Sequence, residues 1–286
     1  MSKIKFGISG FDLPARDILL LARTMEALGF DSLWWGEHAV VPHGDSGDAA
    51  AGAMLNERTM LTDPLVMLAA LTQATSSLKL GTAVLLAPLA HPLTLARATA
   101  TLFDLVGDRF ECGLGAGWLE MEFSAMGVPF NQRGRRLDDT LAILRKAWAG
   151  GAFEHKSAFF DIPRVQITPH ATPVPLLIGG HSLNALERAA RHGDGWIYTA
   201  PMELAKVQRL HDKLQDARSR FGREGRPFSV RVPSRSINPV DVEAVIGAGF
   251  TDIMLNADEA WPRGIDAAAR VAHLTRHANE IGVGVR

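Results

Sequence analysis

Apolar positions along the chain fall into two rhythms that take turns. Short runs of consecutive apolar residues, which read as strands buried on both faces, alternate with longer segments whose apolar residues recur at helical spacing. The first run, 4–9, is followed by a helix over 17–28 that Gly29 stops. A second strand covers 31–35, and a helix over 65–74 is opened by Asp63 and Pro64, an N-cap residue followed by proline at the first helical position. Strands over 78–86 and 109–115, with helices over 92–105 and 133–148, complete four units. The stretch 151–175 mixes prolines with aromatic and β-branched residues and reads as an extended excursion, a hairpin. The alternation then resumes with strands over 176–178, 195–199, 228–232 and 252–256, and helices over 182–190, 203–221, 240–248 and 265–281.

Eight strands alternating with eight helices, each crossover long enough to be parallel and right-handed, predict an α/β fold: a single (β/α)8 TIM barrel over 1–286, with its site at the carboxyl ends of the strands. The insertion after strand 2, residues 36–62, has no convincing periodicity, and a loop that long inside a compact domain is usually functional. It is expected to close over the site as a lid, with an acidic, glycine-rich centre at 44–52. The excursion after helix 4 is the second departure from the repeat. With 47% hydrophobic residues, 21% charged and a net charge of -1, the composition is globular and offers no field for nucleic acid or an anionic membrane. The lone Cys112 cannot form an internal disulfide and no apolar signal region opens the chain, which together predict a cytoplasmic protein.

Residues just after the strands carry chemistry. Glu37 and His38 follow strand 2, His91 follows strand 3, Gly115, Ala116, Gly117, Trp118 and Glu120 follow strand 4, and Gly179, Gly180, His181 and Ser182 follow strand 5. Glycines at 113, 115 and 117 would leave one strand face bare for a flat or phosphorylated ligand, although the spacing misses the dinucleotide fingerprint because Trp118 and Glu120 stand where glycine is needed. A neutral histidine can pass a proton near neutral pH, so His38 is an acid/base candidate or a strand cap. The Gly179 to Ser182 turn opens a helix, where unpaired N–H groups suit phosphate, and Ser182 also suits an N-cap. Trp34, Trp35 and Trp118 are placed to wall an aromatic ligand, whereas Trp148, Trp196 and Trp261 read as packing. Arg133, Arg135 and Arg136 begin a helix where positive charge is unfavourable, so Glu120, Glu122 or Asp138 are expected as partners. No metal-ligand set gathers in these loops, and neither a nucleophile elbow nor a Walker loop occurs.

With these residues in place the chain resembles the bacterial luciferase-like superfamily. The resemblance is carried by Gly29-Phe30-Asp31-Ser32-Leu33-Trp34 with Glu37-His38, by Leu80-Gly81-Thr82-Ala83-Val84, and by Arg109-Phe110 through Gly117-Trp118. It continues through Glu122-Phe123 to Arg133-Gly134-Arg135-Arg136-Leu137-Asp138, Ile178-Gly179-Gly180 and Arg191-His192-Gly193-Asp194-Gly195-Trp196. The superfamily uses FMN or the deazaflavin F420 in a (β/α)8 barrel, and this chain is most similar to its F420-dependent branch. The resemblance implies that His38 lies beside the cofactor ring with Glu37 next to it. It also implies that Ala83 and Val84 back the ring across a non-prolyl cis peptide, and that Gly179 and Gly180 hold phosphate. Trp118 stands where F420-dependent sugar-phosphate dehydrogenases of this type carry a catalytic glutamate, so their proton-transfer scheme does not carry over.

The function this implies is hydride transfer between F420 and a small organic substrate, by an enzyme expected to form a homodimer. An FMN-dependent monooxygenase served by a flavin reductase is the first alternative, and a flavin-binding protein without turnover the second.

Overall fold

The computed structural model describes residues 3–43, 54–169 and 174–285, so the centre of the expected lid, 44–52, lies outside the described residues. Eight parallel strands close on themselves: β1 (Lys5–Gly10), β2 (Ser32–Trp35), β3 (Lys79–Thr82), β5 (Phe110–Gly115), β8 (Leu176–Gly179), β9 (Gly195–Ile197), β10 (Ser229–Pro233) and β11 (Asp252–Asn256). The ring shuts where Lys5 to Ser9 pair with Asp252 to Asn256. The strand expected over 78–86 is broken in two: β3 ends at Thr82, and β4 (Leu85–Leu86) resumes pairing with Leu114 and Gly115 of β5. The excursion is an antiparallel hairpin, β6 (Phe153–Lys156) with β7 (Asp161–Val165).

Helices α1 (Ala15–Leu28), α2 (Pro64–Leu71), α3 (Pro92–Val106), α5 (Arg133–Trp148), α6 (Leu183–His192), α7 (Leu204–Arg220), α8 (Pro239–Gly247) and α10 (Ala267–Ile281) follow the strands. Two short helices that periodicity could not reveal, α4 (Glu120–Ala125) and α9 (Ala257–Ala260), sit at the carboxyl ends of β5 and β11. Local chemistry sets the helix ends. Asp63, Ser182, Asn238 and Asp266 accept N–H groups of the first turns they precede. Gly29 closes α1 in the left-handed region at φ 84°, a conformation that costs glycine little. Glu26, in the last turn of α1, receives the amide N–H groups of Ser76, Ser77 and Leu78 at 2.5 to 3.1 Å and so ties that helix to the start of β3.

The barrel interior is stacked in layers. At the amino ends of the strands Arg231, 5% exposed, donates to Asp252 at 2.9 Å and to Glu111 at 2.6 Å, and Lys79 reaches Glu111 at 3.0 Å. Burial raises the Glu111 carboxyl, but the Arg231 and Lys79 charges outweigh it and hold the group below its ordinary range. Above this layer the Trp34 ring lies 4.3 Å from the Arg231 guanidinium and packs with Leu177, Ile197 and Met254. A Cβ on Gly81 would fall 2.1 Å from that ring, so only glycine admits it. No described helix is long and apolar enough to cross a membrane.

Candidate functional site

The mouth of the barrel is built around the break between β3 and β4. The Ala83-Val84 bond there is cis. Residues after β2 hold this break in place: the Glu37 N–H donates to the Val84 carbonyl at 3.2 Å, and Glu37 Oε2 accepts the Leu86 N–H at 2.6 Å. The Val84 side chain turns inward over β5 and β8. A Cβ on Gly115 would lie 2.4 Å from Val84 Cγ2, and one on Gly179 would lie 2.5 Å from Cγ1. One layer down, Thr82 Oγ1 donates to the Gly113 carbonyl at 2.8 Å and accepts the Gly113 N–H at 2.9 Å, and a Cβ on Gly113 would meet the Thr82 carbonyl oxygen. The bare glycine face expected to admit a ligand is therefore filled by the chain itself, by Thr82 at Gly113, Val84 at Gly115 and Phe123 at Gly117. What the glycines leave at the mouth is an apolar floor topped by Val84.

His38 stands beside this floor with 8% of its side chain exposed. Its ring is packed edge-on against Phe11 at 5.2 Å and Trp118 at 6.0 Å between centroids. Its Nδ1 lies 3.0 Å from Oε1 of Glu122, a carboxylate on α4 with no exposed surface, and the Ala39 N–H donates to the same oxygen at 2.7 Å. Burial first, and then the nearby charges of Asp63 and Glu122, push the Glu37 carboxyl above its ordinary range against the opposing effects of the Leu86 N–H and His38. Glu122 and Phe11 were missed by the sequence reading, which treated Glu122 only as a partner for arginine. Helical geometry explains the miss: Glu120 and Glu122 are two residues apart on α4 and face different ways. Glu120, expected in the substrate pocket, is exposed, and the inward carboxylate is Glu122.

Other expected residues separate into those at the mouth and those elsewhere. Trp118, 40% exposed, is at the mouth. Trp35 is not: it is fully buried on the opposite side of β2 from Trp34, and its indole N–H donates to Thr62 at 2.9 Å, because successive strand residues point to opposite faces. Trp34 is sealed within the barrel rather than walling a pocket. His91 is exposed, accepts the Leu93 N–H to cap α3, and packs against Phe160 of the hairpin at 5.7 Å. Past β8, Gly180 takes φ 132°, and its carbonyl accepts the Trp196 indole N–H at 2.7 Å. His181 and Ser182 are exposed at the start of α6, with Ser182 Oγ accepting the Ala185 N–H at 3.2 Å. Desolvation, then the Lys206 charge, holds His181 below the usual histidine range.

The arginine network differs from expectation. Asp138 is taken by Arg188 at 2.5 Å and Glu122 by His38, so Arg133 lies 3.9 Å over the Phe130 ring while Arg135 and Arg136 face Phe159 at 5.6 and 5.4 Å. Among the described residues aromatic faces, with the Phe130 carbonyl for Arg133 at 3.1 Å, receive these cations, and no carboxylate does. A His-x-x-x-His spacing, His273 and His277, stands on α10, where His277 lies 3.0 Å from Glu280; among the described residues no group of three potential metal ligands forms.

Residues 8–245 match the family described as luciferase-like monooxygenase. The chain belongs to that family. A curated relative, an uncharacterised protein of Mycobacterium tuberculosis, is 32% identical over 254 residues and covers 86% of each chain. Among solved structures, a monooxygenase from Streptomyces bottropensis superposes with a TM-score of 0.80 at 19% identity, over 97% of this chain and 98% of that one. The coenzyme F420 dependent tetrahydromethanopterin reductase from Methanopyrus kandleri superposes with a TM-score of 0.77 at 15% identity, over the whole of both chains. At those identities the two structures establish the luciferase-like fold alone. The family is one of flavin- or F420-dependent oxidoreductases and monooxygenases: solved relatives include an F420-dependent secondary alcohol dehydrogenase and an FMN-bound Baeyer-Villiger monooxygenase, and a curated relative from Acinetobacter baylyi is a flavin-dependent trigonelline monooxygenase.

Proposed function

We propose that this luciferase-like protein is an F420-dependent oxidoreductase acting on a small organic substrate that exchanges both a hydride and a hydroxyl proton. The observation that carries the reading is His38, held by a buried carboxylate at Nδ1 beside the Val84 floor. When bound, F420 gives or takes a hydride at C5. The residues of the chain supply the rest. Val84 would back one face of the ring, leaving the other for substrate. The Gly180 N–H is taken by the Ile197 carbonyl at 3.0 Å, so phosphate would fall to the backbone of His181 and Ser182 and the first N–H groups of α6, with Lys206 close enough to His181 to add positive charge for the cofactor's anionic tail. In the oxidising direction the C–H electron pair leaves as hydride and the hydroxyl proton passes to Nε2 of His38; reduction reverses both. Charge on the substrate oxygen is thus never left uncompensated.

A second reading, an FMN-dependent monooxygenase with a separate flavin reductase, is favoured by the family's description and by the superposition on the S. bottropensis monooxygenase. Spectral titration with each cofactor, followed by oxygen uptake, separates the two. The F420 reading expects tighter binding of F420 than of FMN and turnover without oxygen consumption. Micromolar FMN binding with oxygen uptake and no F420 binding would overturn it. Binding without turnover of any kind would instead favour a flavin-binding protein.

A further inference from the structure

Glu122 is in an unusual position for a carboxylate. It has no exposed surface, its Oε2 has no hydrogen-bond partner among the described residues, and its Oε1 faces two nitrogens, the Ala39 amide at 2.7 Å and His38 Nδ1 at 3.0 Å. No Lys or Arg among the described residues forms an ion pair with it, so His38 is its one available counter-charge. A further carboxyl that feels both members of the pair is Glu37, on the same loop as His38: the Glu122 charge raises it and His38 lowers it. The rings packed on His38, Phe11 and Trp118, carry no charge. A buried anion among anions is a poor arrangement for stability, since an uncompensated charge in such a place costs free energy. It is a good arrangement for setting a histidine.

We propose that Glu122 is the positioning residue for His38. As an ionised acceptor, Oε1 can only receive, so it fixes the imidazole with its proton on Nδ1 and leaves Nε2 as a lone pair turned to the mouth. When Nε2 takes a proton from a bound hydroxyl, the Glu122 charge balances the imidazolium. The Ala39 N–H keeps Oε1 in line, so the carboxylate and the ring move as one unit. The proposal rests on the His38 role given above, but the tautomer and its electrostatics are properties of the protein alone.

The test uses the full chain labelled with ¹⁵N-histidine, without cofactor, His38 being identified by the signal lost in His38→Gln. The expected spectrum of neutral His38 shows a protonated Nδ1 and an unprotonated Nε2. In Glu122→Gln, whose amide can offer the ring an NH2 donor as readily as an oxygen, the neutral ring should lose its single tautomer and show both nitrogens partly protonated, and Glu122→Asp should restore the Nδ1-protonated form. In loaded Glu122→Gln enzyme kcat in the oxidising direction should fall at least about tenfold while cofactor affinity stays within threefold. A merely structural glutamate would change thermal stability and leave the tautomer in place. His38 protonated on Nε2 in the wild-type chain, or a tautomer unchanged in Glu122→Gln, overturns the proposal, and the wild-type spectrum decides even where a variant fails to fold. The expected spectra together with absent F420 turnover would reject the F420 reading and leave the role of Glu122 standing.

Discussion

Glu111 and Glu122 lie on one strand-loop-helix unit, both buried, at opposite ends of the barrel. At the amino end Glu111 meets Arg231 and Lys79 at 2.6 and 3.0 Å. At the carboxyl end Glu122 has a histidine, one amide and an oxygen with no partner among the described residues. The first arrangement pairs each buried carboxylate with a guanidinium or ammonium, although Arg231 Nε is left without a hydrogen-bond partner among the described residues; the second sets its carboxylate against a histidine alone. In a barrel of this kind the amino face serves stability and the carboxyl face serves chemistry, and the two glutamates show the physical form of that division.

The comparison can be broken most severely at Arg231. Arg231→Met leaves Glu111 and Asp252 buried without their shared cation, and the expected loss is about 3–5 kcal/mol of unfolding free energy by urea titration, with cofactor affinity of the folded fraction retained. A loss below about 1 kcal/mol would mean that the amino end is not held electrostatically.

The carboxyl end should instead respond to shape. Gly115→Ala drives a Cβ to 2.4 Å from Val84 and is expected to cost about 1–3 kcal/mol. Val84→Ala removes both offending methyls, so the double variant should lose less than the sum of the singles, a coupling readable by a double-mutant cycle. Strict additivity would show that Val84 does not occupy the glycine face.

The smallest effects are in pH, and they have opposite signs at the two ends. At the amino end Glu26 is partly desolvated, but amide donors from Ser77, Leu78 and Ser76 bring it down to about 2 from 4.5. A depressed carboxylate stabilises above its unfolded pKa, so that contribution is lost as pH falls from 4.5 towards 2, and Glu26→Gln should flatten this part of a Tm-against-pH curve. At the carboxyl end Glu37 is raised, so the folded state holds its proton longer than the unfolded chain. That stabilisation is present below pH 4.5 and lost as pH rises through the raised value, and Glu37→Gln should flatten this other limb. Each change should amount to about a degree or two, since one carboxyl is a small part of the unfolding free energy and both Glu26 and Glu37 keep partial solvent contact. A change of slope in the same limb for both variants would contradict the assignment.

The architecture was legible because each barrel strand is a short apolar run and each helix has a cap or a glycine stop, as at Asp63 and Gly29. The break in the third strand was not, since Ala83 and Val84 continue the same apolar run and only the ladder shows β4 resuming opposite Leu114. At the site, Glu37, His38 and Trp118 could be placed at the mouth by their positions after strands. Trp34 and Trp35 could not be told apart until the pleat assigned one to each face. Glu122 lies on a helix of six residues, too short for any periodicity to say which glutamate turns inward. The glycines were recognisable as a close approach, but what approaches Gly115 and Gly179 is Val84, and no local pattern could report a side chain from the break between β3 and β4.

The division between the two ends rests finally on His38, and stopped-flow measurement of the hydride-transfer step in His38→Ala tests it most directly. At saturating F420 and substrate the transfer rate is expected to fall by about 10²-fold or more, with cofactor affinity changed less than tenfold and the unfolding midpoint near that of the wild type. A rate within threefold of wild type would contradict the assignment of proton transfer to the carboxyl end.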